Sequence, residues 1–200
     1  MTTFFLIRHG NTTVGDKIVG RQPGVHLSES GKRQAEELAD RLSPVVFTAI
    51  FSSPLERTQE TARPLARLKA LEVHVVPGLY EIEFGDWTNA RFDELESVPQ
   101  WKRFHTFRSG TGIPGGERMI EVQSRMIAVI EQLRRDYPDG TLALFSHGDP
   151  IRSVIAYYAG VPLDLMLRLT VDTASVSVIA VDEYGANLLC MNHTGILPRQ

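Results

Sequence analysis

Cysteine is nearly absent from this 200-residue chain: Cys190 stands alone. No internal disulfide is available, which fits a reducing compartment. An excess of charge is also missing. The formal net charge of -3 is too small to imply a nucleic-acid or membrane partner, although it leaves room for a local cationic pocket. No apolar stretch approaches the ~18 residues of a membrane span. Met1-Thr2-Thr3-Phe4 carries neither a basic segment nor a small-residue cleavage site, so no secretion signal is expected and a cytoplasmic location is. Without export, the sequons Asn11-Thr12-Thr13 and Asn192-His193-Thr194 carry little weight. Internal repeats, low-complexity tracts and long linkers are lacking too. What remains is ordinary globular composition, 42% hydrophobic and 22% charged. The length suits one domain, 1–200, with a sizeable core.

Six apolar or β-branched runs read as strands, at 3–8, 47–52, 72–76, 141–146, 175–182 and 187–192. Helical patterns alternate with most of them. Residues 31–42 put Ala35, Leu38, Ala39 and Leu42 on one stripe. The 54–68 segment opens with Ser53, Pro54 and Glu56 as N-cap, N1 and N3 of a capping box. In 117–136, Met119, Val122, Met126, Val129 and Leu133 recur at spacings of three and four, which predicts one buried face. Asp149-Pro150 reads as another N-cap and N1 pair, opening a helix that runs to about Tyr158 and stops at Gly160. The alternation predicts an α/β fold, a three-layer αβα sandwich with a mainly parallel sheet. Ligands in such sheets bind beyond the carboxyl ends of the strands. The glycine-rich stretch 84–116, with a short helical pattern near 91–106, is an excursion over the sheet. A lid and an idle surface loop are both open readings for it.

Two strand ends carry His-Gly pairs: Arg8-His9-Gly10 after Phe4-Phe5-Leu6-Ile7, and Ser146-His147-Gly148 after Thr141–Phe145. Arg57 lies in the first turn of its helix, where backbone N–H groups and the dipole favour an anion. A phosphate ester repels an attacking group, so its site needs cations and aligned donors. Arg8 and Arg57 supply planar forks that match phosphate oxygens, and Gly10 and Gly148 let backbone approach closely. Neighbouring cations hold an imidazole neutral and nucleophilic, which favours His9 as the nucleophile. His147 then stabilises charge on the transferring group. A leaving alkoxide needs a proton, and Glu81, Glu83 and Asp86 are all candidates by spacing. Asp149 reads as a cap rather than a tuner of His147, and Glu117 as either a substrate contact or a helix-start residue. Trp87 and Trp101 read as core, and His26, His74, His105 and His193 as incidental. The histidines show no metal-ligand spacing, so no metal or cofactor is expected.

Arg8-His9-Gly10-Asn11-Thr12 resembles the signature of the histidine phosphatase superfamily, which includes the cofactor-dependent phosphoglycerate mutases. Ser52–Thr58 resembles its second arginine motif and Leu79-Tyr80-Glu81 with Phe84–Trp87 its acid motif. Pro114-Gly115-Gly116-Glu117 resembles its substrate loop, and Ser146–Arg152 its second histidine motif. All occur in order, between residue 4 and about residue 181. The resemblance implies a phosphoglycerate mutase-like fold and a phosphohistidine on His9. It implies phosphoryl binding by Arg8, Arg57 and His147, a proton from Glu81, and no metal. Asn11 and Gly148 join the expected substrate contacts. Departures are Asn11 where an acidic residue or Gln is frequent, Gly15 where a phosphate-binding Asn is frequent, His26-Leu27-Ser28 for Pro-Leu-Thr, and Thr88-Asn89 for Glu-Gly. The expected activity is metal-independent hydrolysis of a small phosphorylated metabolite. Mutases usually run longer between the acid motif and the second histidine than the roughly 65 residues between Glu81 and His147. A mutase and a non-catalytic phosphate-binding regulatory module are the alternatives.

Overall fold

The computed structural model describes residues 1–195. Its sheet has the spatial order β3-β2-β4-β1-β5-β6. The strands are β1 (Thr2–Arg8), β2 (Ala49–Ser52), β3 (Val73–Val75), β4 (Thr141–Ser146), β5 (Val176–Val181) and β6 (Ala186–His193). The first four pair in parallel, while β5 and β6 are antiparallel additions at one edge. The reversal at β5 has a local cause. The preceding chain arrives at the carboxyl end of β1, where Ala174 N–H donates to Arg8 O at 3.1 Å. The next strand can only run back down.

Alternation along β1 and β4 divides the core. Phe4, Leu6, Leu142 and Leu144 face one side; Phe5, Ile7, Ala143 and Phe145 face the other. A one-residue slip would exchange the faces. Helices α1 (Glu29–Arg41) and α2 (Glu56–Lys69) cover the Phe5 face through Leu38, Ala39, Ala62 and Leu65. The Phe4 face is covered by α5 (Met119–Asp136) and α6 (Gly148–Tyr158). It is also covered by the 84–116 excursion, which contains α3 (Phe92–Leu95) and α4 (Pro99–Thr106). Trp87, Trp101 and Phe104 bury themselves there in edge-to-face contact; Trp87 is core as expected, while Trp101 is buried and also borders a cavity at the strand ends.

The layers and strands follow the sequence reading, but several helix starts do not. α1 starts at Glu29, two residues before the 31–42 pattern, and Ser28 caps it by accepting from Gly31 N–H at 3.1 Å. The N-cap of α2 is Leu55, with no side-chain cap, so the capping box predicted at Ser53, Pro54 and Glu56 is not formed. The N-cap of α6 is His147 rather than Asp149, which sits inside the first turn. In α5 the fully buried stripe contains Ile130 where Val129 was expected. Val129 is half-buried and occupies the space left by Gly78, whose added Cβ would lie 2.3 Å from Val129 Cγ2.

One close approach fixes α1 against the end of β1. A Cβ on Gly31 would stand 2.0 Å from Asn11 O, and one on Gly10 would stand 2.8 Å from Gly31 O. Only glycine permits this packing, and it presses the helix onto the loop that follows His9.

Candidate active site

Three parallel strand ends meet at one edge of the sheet. Arg8 is registered with Ser146, and Ser52 with Phe145. His9, Ser53 and His147, each the residue just past its strand, are thereby brought together. The His9 and His147 rings lie 5.2 Å apart between centroids, inclined by 62°. A cavity of about 720 Å³ opens above them, lined in part by Arg8, His9, Asn11, Arg57, Glu81 and Gly148. His147 is fully buried and lies behind this lining, reached through its neighbours.

The His9 tautomer follows from its partner. Nδ1 lies 2.8 Å from Gly10 O, and a carbonyl only accepts, so Nδ1 carries the proton and Nε2 keeps its lone pair. Gly10 is itself anchored, its N–H donating to Thr61 Oγ1 of α2 at 3.0 Å. Burial first, then the charges of Arg57 and Arg8, hold the His9 pKa down at about 3, so the ring is neutral near pH 7. Burial and the same cations push His147 well below the usual histidine range. Its Nε2 shares a 2.9 Å hydrogen bond with Ser53 Oγ.

Arg57 is buried and, among the described residues, gives only Nη2 to the protein, donating to Gly20 O at 2.7 Å; its Nε and Nη1 are buried without a partner there. Arg8 donates Nη1 to Val171 O at 2.7 Å, and its Nε is likewise unpartnered. His147 Nδ1 is a third such group. Buried donors without acceptors are costly, about 1–3 kcal/mol each. Their concentration around the His9 ring points to an anion with several oxygens.

Glu81 lines the cavity; Glu83 and Asp86 do not. The Glu81 Oε1 accepts from Ile82 N–H at 2.9 Å. Burial first and the nearby Asp149 charge second raise its pKa to about 7, against the opposing pull of Arg57 and Arg8. It is therefore a carboxyl that carries a proton at mildly acidic to neutral pH. Glu83 instead faces Arg21 at 4.0 Å.

The backbone of Glu81 is clamped by a group of charges that the sequence reading left undecided. Glu117 bridges Arg21 at 2.7 Å and Arg125 at 2.8 Å. Arg125 donates to the carbonyls of Gly78 and Tyr80, both at 2.8 Å, and to Glu81 O at 3.1 Å. Arg21 donates Nε to Glu81 O at 2.8 Å. Glu117 itself is outside the cavity lining, and α5 begins only at Met119. Neither a helix-start role nor substrate contact describes it; it holds together the two guanidiniums that fix the acid-bearing loop.

A model of the histidine phosphatase superfamily (branch 1) matches residues 4–194. The chain belongs to that superfamily. It is 33% identical over 199 residues to phosphoserine phosphatase 1 of Hydrogenobacter thermophilus, a match spanning 97% of this chain and 93% of the relative. A probable phosphoglycerate mutase GpmB of Yersinia pestis is 33% identical over 188 residues, 92% of this chain and 86% of that one. The solved alpha-ribazole phosphatase of Shigella flexneri superposes with a TM-score of 0.87 at 28% identity, covering 99% of this chain and 100% of the other.

Within this superfamily framework, three of the departures from its motifs, Asn11, Gly15 and Ser28, line the cavity, while His26, Leu27, Thr88 and Asn89 do not. Asn11 is exposed and its Oδ1 accepts from Thr173 Oγ1 at 2.8 Å. Gly15 lines the cavity with nothing within 4 Å of an added Cβ, so no side chain fills that place. His26 pairs with Glu60 on the surface, at 2.6 Å. Among the lining residues that the sequence reading missed, three carry imidazole or guanidinium nitrogens. His105 was taken as incidental, yet it lines the cavity beside Trp101, ring centroids 4.1 Å apart. Arg108 and Arg152 also line it, both paired with Asp149, at 2.7 and 2.9 Å. Arg152 stood inside the quoted second histidine motif and could have been weighed there.

Proposed function

We propose that the chain is a histidine phosphatase of the acid type, a metal-independent phosphoric monoester hydrolase acting on a small phosphorylated metabolite. The observation that carries this reading is a neutral His9 Nε2 set among buried donors of Arg57, Arg8 and His147 that lack acceptors. In the proposed first step the Nε2 lone pair forms a bond to phosphorus while the ester P–O bond breaks. Glu81 gives its proton to the departing alkoxide. In the second step water attacks the phosphohistidine, the Glu81 carboxylate takes the water proton, and the P–N bond breaks to return neutral His9. Arg8, Arg57 and His147 stabilise the charge on the transferring group in both steps. Asn11 and Gly148 border the bound ester, and the 84–116 excursion, which contributes Phe84, Phe92 and Trp101 to the cavity, covers it as a lid. No metal has a part in this scheme.

The test is phosphate release from a panel of phosphomonoesters in the presence of EDTA. The expected result is hydrolysis unaffected by the chelator and inhibited by vanadate, whose five-coordinate form imitates the transferring group. Exchange of phosphate between glycerate isomers without net release would make the protein a mutase. Binding without turnover would make it a regulatory module.

A further inference from the structure

The tautomer of His9 hangs on one peptide plane. Its Nδ1–H donates to Gly10 O at 2.8 Å, and that carbonyl shares a rigid plane with the N–H of Asn11. In a trans peptide the two groups point in opposite directions. Whatever grips the Asn11 N–H therefore aims the Gly10 carbonyl. The grip comes from Gln34 of α1, whose Oε1 accepts from Asn11 N–H at 2.8 Å. Gln34 is itself steadied, because its Nε2 donates to Thr173 Oγ1 at 3.3 Å and Thr173 Oγ1 donates in turn to Asn11 Oδ1 at 2.8 Å.

The preceding plane is held from the other helix. Its N–H, that of Gly10, donates to Thr61 Oγ1 of α2 at 3.0 Å. The Thr61 hydroxyl gives its own proton to Arg57 O, one turn back, at 2.6 Å. That bond fixes the hydroxyl as an acceptor toward Gly10. Thr61 is fully buried, so without its oxygen the Gly10 N–H loses its acceptor away from solvent. Glycine rotates freely about both of its backbone dihedrals. At Gly10 that freedom is removed, since the peptides on either side of its Cα are each held and the Cα itself is pressed against Gly31. Gln34 and Thr61 both lie outside the lining of the cavity above His9. Their route to the chemistry runs through the backbone.

We infer that Gln34 and Thr61 are positioning residues for the nucleophile. One from each helix on the Phe5 face, they fix the two peptides of Gly10, and so keep the His9 proton on Nδ1 and the lone pair on Nε2. The consequence for turnover rests on the phosphatase reading above, in which that lone pair attacks phosphorus. The alternative is that both side chains only brace α1 and α2 against the sheet. A brace, when removed, lowers the melting temperature and leaves the imidazole as it was.

The test is long-range ¹H–¹⁵N NMR of histidine-labelled protein near neutral pH, with His9→Ala assigning the signals. The wild-type ring should carry its proton on Nδ1. In Thr61→Val and Gln34→Leu the His9 ¹⁵N shifts should move toward the opposite tautomer. In each, kcat on p-nitrophenyl phosphate should fall about tenfold or more through the misplaced nucleophile. KM should change little, because the donors of Arg8, Arg57 and His147 stay in place. Thr61→Ser and Gln34→Glu keep the accepting oxygen and should restore both the shifts and kcat. Thermal melting establishes that each variant is folded. Should Thr61→Val not fold, Gln34→Leu, at a half-buried position, carries the test. Unaltered His9 shifts or an unaltered kcat in the folded variants overturns the inference. So does an equal loss in the conservative variants, or a loss confined to KM. In each of those cases the hydrolytic reading stands. If the wild-type ring has the expected tautomer and the variants shift it, yet no phosphomonoester is hydrolysed, the positioning stands and the phosphatase reading falls. A wild-type ring protonated on Nε2 overturns both.

Discussion

Ser53 Oγ lies 2.9 Å from His147 Nε2, joining residues 94 positions apart. The hydroxyl that reads locally as a helix cap is the group that orients the second histidine. It turns His147 so that Nδ1, buried without a partner among the described residues, is left open for the phosphoryl oxygens of the proposed reaction. The two readings of Ser53 make opposite forecasts. A capping residue changed to alanine costs about 1 kcal/mol of stability. An orienting residue changed to alanine loses turnover through a misplaced partner. Ser53→Ala should lower kcat by roughly tenfold or more and leave the melting temperature close to wild type, measured on the same preparation.

The pH dependence follows from two displaced groups. Glu81 is raised, so its proton persists until pH rises through about 7. His9 is depressed, so its ring stays neutral until pH falls through about 3. Between these values both are in the working state, and kcat/KM should fall above neutrality with the loss of one proton. Asp149 helps to keep Glu81 protonated, so Asp149→Asn should move that alkaline limb to lower pH. Glu81→Gln should abolish the limb along with most activity toward alkyl esters. An unchanged profile in Asp149→Asn would count against the coupling. Stability carries the same signs. Glu81's contribution is present below its ordinary 4.5 and is lost as pH rises through about 7. His9's is present above its ordinary 6.5 and is lost as pH falls through about 3.

The layers of the fold could be read in the sequence because one-dimensional periodicity reports them directly. The unbroken apolar run Phe4–Ile7 reports a strand buried on both faces, spacing in Ala35, Leu38 and Ala39 reports a helix buried on one, and those residues are buried. His9, Arg57, Glu81 and His147 were legible because each stands in a quoted motif and three adjoin strand or helix ends. What escaped was decided by distant partners. Ser53 resembles a cap until His147 arrives across the sheet. Asp149 resembles one until Arg108, from the excursion 41 residues earlier, takes its Oδ2. Val129 fits the buried stripe by spacing as well as Ile130 does. Only the missing side chain of Gly78 assigns it to the neighbouring turn.

The clamp on the acid-bearing loop predicts a dependence on leaving group. Glu117→Gln should weaken the hold of Arg21 and Arg125 on the carbonyls of Gly78, Tyr80 and Glu81. A misplaced acid harms esters of poorly acidic alcohols most, because those alkoxides need the proton. Alkyl phosphates should lose about tenfold or more in kcat, the lower range of a general-acid effect. Turnover of p-nitrophenyl phosphate should fall less, since its leaving group departs without help. Equal losses on both esters would reduce Glu117 to a purely structural brace.

The most direct measurement is to quench turnover of a ³²P-labelled phosphomonoester in alkali and map the label. The account predicts an alkali-stable, acid-labile phosphoramidate on Nε2 of His9, with His9→Ala carrying none and losing at least about a thousandfold in kcat. Label on another residue, or steady hydrolysis in His9→Ala, would contradict it.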